Sequence, residues 1–207
     1  MRRIYQLMAF VAVIGYGVAY LGSHHPELVT EAVQSTSSFV RSAKAGTSGS
    51  MTLVTDEPSL SVAFSPGNAE GLVVETIDGA QKSLRVAAYS FTSKPIAKAL
   101  VAAEKRGVDV QVVLDKSQQS ERYTSATFIA HAGIPVRINS RYAIMHNKFI
   151  VVDGATVETG SFNYTRSAQA RNAENVVVIR QQPRFAATYT EEWNRLWNEA
   201  EPYQQAR

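Results

Sequence analysis

The sequence has no cysteine, so neither a disulfide framework nor a thiolate zinc site can be built from it, and thiols say nothing about its redox compartment. Charge is sparse: 19% of residues are Asp, Glu, Lys or Arg, against 45% hydrophobic. That balance excludes a disordered or collagen-like chain and fits a globular one. With 207 residues there is room for one domain and a terminal appendage, not for two catalytic units. Internal repetition is missing as well, since the hairpin segment described below occurs once.

A long uncharged run also occurs once. Arg2 and Arg3 precede Ile4 to Leu21, and the polar His24, His25 and Pro26 follow shortly after. A helix over that run would reach about 27 Å, borderline for a bilayer core. Residues 1–22 therefore read as a signal peptide or an uncleaved membrane anchor touching the membrane through residues 4–21. In either case the arginines stay cytoplasmic and the remainder is exported, to the periplasm or to the outer side of the inner membrane. Residues 23–58, rich in Ser, Thr, Gly and Ala, read as a flexible linker, and residues 59–207 as the compact domain.

The net charge of +3 conceals an uneven distribution. Residues 82–180 carry fourteen basic and seven acidic side chains, whereas residues 23–81 carry two and seven. A basic centre favours a polyanionic or phosphate-bearing substrate.

Helix and strand patterns alternate through that centre. A short strand near Leu60 closes at the SPG turn, 65–67. Helices are expected over 69–81, 94–106 and 120–132, the latter two stopped by Gly107 and Gly133, with strands over 84–91, 108–114 and 136–139. Two successive helix-Gly-strand units imply right-handed crossovers and parallel pairing. A hairpin follows: 145–152, an Asp153-Gly154 turn, then 156–160. A strand over 174–180 and an amphipathic helix over 185–199 close the chain, with Phe185, Tyr189, Trp193, Leu196 and Trp197 as a core-packing stripe. The expected fold is α/β: a mixed, mostly parallel sheet flanked by helices on both faces.

The chemistry concentrates in HNKFIVVDGATVETGSFNYT, residues 146–165. In a strand, alternate side chains share a face, so His146 and Lys148 point together, as do Ser161 and Asn163 if that stretch is extended. A tight turn makes the two segments neighbours. An imidazole, an ammonium, a hydroxyl and a carboxamide could then converge on one phosphate-sized anion. Gly160 permits close backbone approach. Asp153 lies at an odd offset from His146 and far along the strand, which suits it to shaping the turn rather than orienting the ring. Glu174, in RNAENVVVI, is the carboxylate that could fix the His146 tautomer.

His146-x-Lys148-x4-Asp153 followed by Gly160-Ser161-x-Asn163 resembles the HKD signature of the phospholipase D superfamily. SVAFSPG, AAYSFTS, VVLD, MHNKFIVVD, TGSFNYT and RNAENV together resemble the small, single-motif bacterial endonucleases of the Nuc type, over about Leu60 to Trp197. The resemblance implies a phospholipase D/Nuc-like α-β-α sandwich. It also implies a covalent mechanism in which His146 attacks phosphorus, a phosphohistidine forms and water resolves it. A second histidine must protonate the leaving oxygen, and this chain has a single motif. A homodimer with the site on its two-fold axis is therefore expected, with two coupled imidazoles and a bell-shaped pH dependence. No metal or cofactor is expected, because no carboxylate and histidine cluster with metal spacing accompanies the motif. Nucleic acid is the favoured substrate, with Arg85, Lys94, Arg122, Arg141, Arg166 and Arg171 as candidate groove residues, of which Arg141, Arg166 and Arg171 are taken as substrate-binding. Two alternatives stay open: phospholipid as substrate, and a catalytically silent nucleic-acid binder.

Overall fold

The computed structural model describes residues 58–121 and 123–204; the signal or anchor, nearly all of the linker, and Arg122 lie outside the described residues. Among the described residues one sheet contains β1 (Ser59–Ser65), β2 (Ser83–Ala88), β3 (Asp109–Asp115), β4 (Val136–Asn139), β5 (Lys148–Val152), β6 (Thr156–Gly160), β7 (Glu174–Arg180) and β8 (Glu201–Pro202). Their spatial order is β1-β7-β6-β5-β2-β3-β4-β8. The helices are α1 (Ala69–Asp78), α2 (Lys94–Lys105), α3 (Ala126–His131), α4 (Arg166–Ala170) and α5 (Pro183–Asn198).

The mixed sheet between helical layers is as the sequence implies, but it is not mostly parallel. Only β2–β3 and β3–β4 pair in parallel, while β1–β7, β7–β6, β6–β5, β5–β2 and β4–β8 are antiparallel. The helix-Gly-strand units do produce parallel pairs. Every strand from β5 onward then pairs antiparallel, which those units do not foreshadow.

Side chains alternate between two cores, as the two-residue period of a strand requires. Leu84, Val86, Val112, Leu114, Ile150, Val176 and Val178 face Leu72, Val73 and Ile77 of α1 and Ile96 and Leu100 of α2. Ala87, Val113, Phe149, Val151 and Val157 face Ala186, Trp193 and Leu196 of α5. The Trp193 indole donates to the Val86 carbonyl at 3.0 Å, so its polar edge is satisfied as its rings are buried. The α5 stripe is thus core at Trp193 and Leu196, while Phe185 stays 40% exposed.

Several boundaries differ from expectation. The helix expected from Ser120 begins at Ala126, because Asp115 caps a 3-10 turn over Lys116–Gln119, its carboxylate accepting from Ser117 N at 2.8 Å. β2 ends at Ala88 and β5 begins at Lys148, so Phe91 and Met145 fall outside the ladders. α4 and β8 were not foreseen. At the hairpin, Asp153 and Gly154 have φ of 54° and 68°, and Ala155 N donates to Val152 O at 3.1 Å. Two left-handed central residues match the twist of an antiparallel pair. The Asp153 carboxylate also accepts from the backbone N–H groups of Gln81, Lys82 and Ser83 at 2.9, 2.7 and 2.8 Å. It ties the hairpin to the entry of β2.

One acidic group lies inside the core. Glu158 is 1% exposed and accepts a hydrogen bond from the buried Tyr164 hydroxyl at 2.5 Å. Burial pushes its carboxyl up to about 8, with the Tyr164 bond opposing, and burial beside Glu158 raises Tyr164. Folded protein therefore holds a proton that the unfolded chain has released between its ordinary carboxyl pKa and about 8. Stability from this group is complete below about pH 4 and falls with rising pH, by at most about 1.4 kcal/mol per unit. Glu158→Gln removes the ionisation and should flatten that slope. Thermal melts are expected to coincide for variant and wild type near about pH 5 and to favour the variant near about pH 8.5; parallel profiles would refute a buried neutral Glu158.

Candidate active site

The site occupies the edge of the sheet where β2, β3 and β6 end and β5 and β7 begin. Asp115, buried at the end of β3, accepts from Met145 N at 2.7 Å and so fixes the residue that precedes His146. His146 is exposed, and its ring rests on Tyr89 with centroids 4.6 Å apart. Lys148 opens β5 opposite Ala88 and is only 7% exposed. Its ammonium donates to the His146 carbonyl at 2.7 Å and stands 5.3 Å from the Tyr89 ring centroid. Imidazole and ammonium thus share one tyrosine as their support. Desolvation holds the Lys148 pKa below the ordinary lysine range, and the nearby Glu174 carboxylate partly restores it.

Ser161 follows β6. Its hydroxyl donates to Glu174 Oε2 at 2.6 Å and accepts from Asn175 N at 3.1 Å. The other Glu174 oxygen accepts from Asn172 Nδ2 at 2.9 Å. The carboxylate expected to orient the His146 ring is bonded to Ser161 and Asn172, and its field acts on the Lys148 ammonium. Gly160 is required by backbone crowding: a Cβ there would lie 2.2 Å from the Asn175 carbonyl. The close approach it permits is by β7.

A cleft of about 530 Å³ brings His146, Lys148 and Ser161 together, with Asn147 and Thr159 beside them and Thr188, Tyr189 and Glu192 of α5 as the opposite wall. Asn163 does not line it. Its carboxamide oxygen is buried with no hydrogen-bond partner among the described residues. An unpaired buried acceptor costs about 1–3 kcal/mol. Arg141, Arg166 and Arg171 lie outside the cleft. Arg141 pairs with Glu199 at 3.5 Å, Arg171 bonds Ser167 Oγ at 3.1 Å, and Arg166 lines two shallow depressions nearby. Arg85 is engaged by Asp109 at 2.5 Å.

Tyr89, Asp115 and Glu192 were missed from the sequence. Tyr89 and Asp115 stand where β2 and β3 finish, the end of a parallel strand at which functional groups collect. That position was the available signal. Glu192, which accepts from Asn147 Nδ2 at 3.3 Å, sits on the polar side of an amphipathic helix and had none.

Comparison with known proteins places the chain in a family. The family described as cardiolipin synthase, PLD-like domain, matches residues 73–197. The crystal structure of Nuc from Salmonella typhimurium, a phospholipase D family member, superposes with a TM-score of 0.70 at 47% identity, covering 72% of this chain and all of Nuc. A phospholipase D of Rickettsia prowazekii is 37% identical over 128 residues, 62% of either chain. The mitochondrial cardiolipin hydrolase of Xenopus laevis is 36% identical over 124 residues, 60% of this chain and 59% of that one. The chain thus spans about three fifths of the length of these curated relatives. With the matched segment taking in β2 to α5, and with it every side chain that lines the His146 cleft, the chain belongs to the phospholipase D superfamily.

Proposed function

We propose that this chain is a metal-independent phosphodiesterase that cuts nucleic acid through a phosphohistidine on His146, and that two copies make the working enzyme. The observation that carries the reading is an exposed imidazole beside a desolvated ammonium on one tyrosine support. A ring nitrogen of His146 attacks phosphorus, and the P–O bond to the leaving group breaks as that oxygen takes a proton from a second imidazole. The same imidazole then deprotonates water, which attacks phosphorus and releases His146. Lys148 offsets the phosphoryl charge, and Ser161, whose hydroxyl donates to Glu174 in the free site, can turn that proton to a phosphoryl oxygen. The second imidazole is His146 of another copy, brought to the same site by a two-fold axis.

Nucleic acid is favoured by the basic excess over residues 82–180 and by full-length coverage of Nuc at 47% identity. Phospholipid is the second reading, favoured by relatives named phospholipase D and cardiolipin hydrolase and by the uncharged run at 4–21, which would hold an exported enzyme at a membrane. Nicking of supercoiled plasmid in EDTA, run beside headgroup release from phosphatidylcholine, separates the two. Nicking undiminished by EDTA is expected. Headgroup release without nicking would replace the nuclease reading, and a plasmid shift without turnover would mark a silent binder.

A further inference from the structure

A second cleft, of about 420 Å³, lies between α2 and the segment leading into α3, and it shares no lining residue with the His146 cleft. Lys94 and Lys98 stand one helical turn apart on its α2 wall. Facing them are two large aromatics held in the open, Tyr123 at 71% and Phe128 at 50% exposure. A depression containing Thr92, Lys94 and Arg166 adjoins this cleft, and Arg166 and Arg171 line a third. Lys94 lines the first two and Arg166 the last two, so the three adjoin in series with a cation at each step. Glu70 lies on the wall of the second, and its carboxylate is already bonded by the Ser93 hydroxyl at 2.6 Å.

One end of the series is close along the chain to the His146 support. Tyr89, which supports His146, and Thr92 lie on the same short segment leaving β2. The backbone N–H groups of Thr92 and Ser93 both donate to the carbonyl of Tyr164, the neighbour of Asn163, at 2.9 and 2.8 Å.

We propose that this series is a track that holds single-stranded nucleic acid beyond the scissile bond, with backbone phosphates on Lys94, Lys98 and Arg166 and a base stacked on Tyr123 or Phe128. The proposal rests on the nuclease reading above. Sequence-tolerant binding of single strands combines cations that follow the backbone with aromatic rings that take the bases, and this track has both. A duplex keeps its bases paired and cannot use the rings. An acyl chain would ask for an enclosed aliphatic channel, whereas this cleft is rimmed by two ammonium groups.

The test uses the full chain with two substrates, a thymidine oligonucleotide of about 20 residues and the small diester bis(p-nitrophenyl) phosphate, which is too short to reach the track. Lys94→Ala/Lys98→Ala and Tyr123→Ala/Phe128→Ala should both retain hydrolysis of the small diester, showing that the fold and the His146 site are intact. Each should raise KM for the oligonucleotide by about 10-fold or more with little change in kcat. The lysine pair should also reduce the slope of log affinity against log salt by about 1.4, whereas the aromatic pair leaves it unchanged. An unaltered oligonucleotide KM in both variants overturns the track while sparing the nuclease reading. Wild-type protein that hydrolyses the small diester but neither binds nor cuts the oligonucleotide overturns both. Variants that lose only hydrolysis of anionic phospholipid vesicles would assign the cleft to lipid and overturn the proposal.

Discussion

His146→Ala is expected to lower phosphodiester turnover by at least about 10⁴-fold, the scale on which loss of a covalent nucleophile is felt. The melting temperature should hold, because the ring is exposed and leans on Tyr89 at the surface. Residual cleavage within about 10-fold of wild type would remove His146 from the nucleophile's role. Mixing experiments sharpen the result. If each working site needs two His146 rings, a heterodimer of mutant and wild-type chains has none to spare and is dead. Activity then falls as the square of the wild-type fraction, to about one quarter at equal mixing, where independent monomers would keep about one half. Trapping of the phosphohistidine by an alkaline denaturing quench, in which the P–N bond survives, should likewise saturate at about one phosphoryl group per two chains, since one ring of each pair must act as the acid. A linear mixing curve with one phosphoryl group per chain would defeat the dimeric site.

Local chemistry made the hairpin and its reactive groups legible. An Asp-Gly pair between alternating apolar residues specifies a two-residue turn, and the groups around it lie within twenty consecutive positions, so His146, Lys148 and Ser161 could be placed together from spacing alone. What failed depended on contacts distant in sequence. β1 pairs with β7 in a register running from Ser59 opposite Arg180, and no local pattern announces an antiparallel edge more than a hundred residues away. The mostly parallel sheet was an extrapolation from two crossovers to five other strands.

Within the site the same limit applies. That Glu174 lies near Lys148 could be read from its place at the start of a strand, but its bonds could not, and its carboxylate meets Ser161 and Asn172. Asn163 follows Ser161 by an even offset, which suggests one face. The chain leaves the ladder at Gly160, however, and the alternation argument ends where the strand does. Glu158 alternates inward with no sequence sign that a tyrosine six residues on will take its carboxyl.

Lys148→Met is expected to lower turnover by about 10³-fold while the fold keeps or gains stability. The direction follows from where the ammonium sits. Desolvation lowers its pKa in the folded protein, so between that value and the ordinary lysine pKa the unfolded chain binds the extra proton and stability rises with pH. Below the folded pKa the group is charged in both states, and the folded state carries the whole burial penalty. Methionine keeps the length and apolar stem of the side chain and removes that penalty, at the loss of one hydrogen bond to the His146 carbonyl. An equal or higher melting temperature at neutral pH, together with collapsed turnover, would show that the charge is retained for chemistry. A melting temperature lowered by several degrees, with turnover falling only in proportion to unfolded protein, would make Lys148 a structural residue. Lys148→Arg should not rescue turnover, because a planar fork cannot occupy a buried site shaped around a compact ammonium beside Tyr89. Wild-type kcat/KM should also decline on the alkaline side at a pH below that of an ordinary lysine, and the residual activity of Lys148→Met should lack that decline.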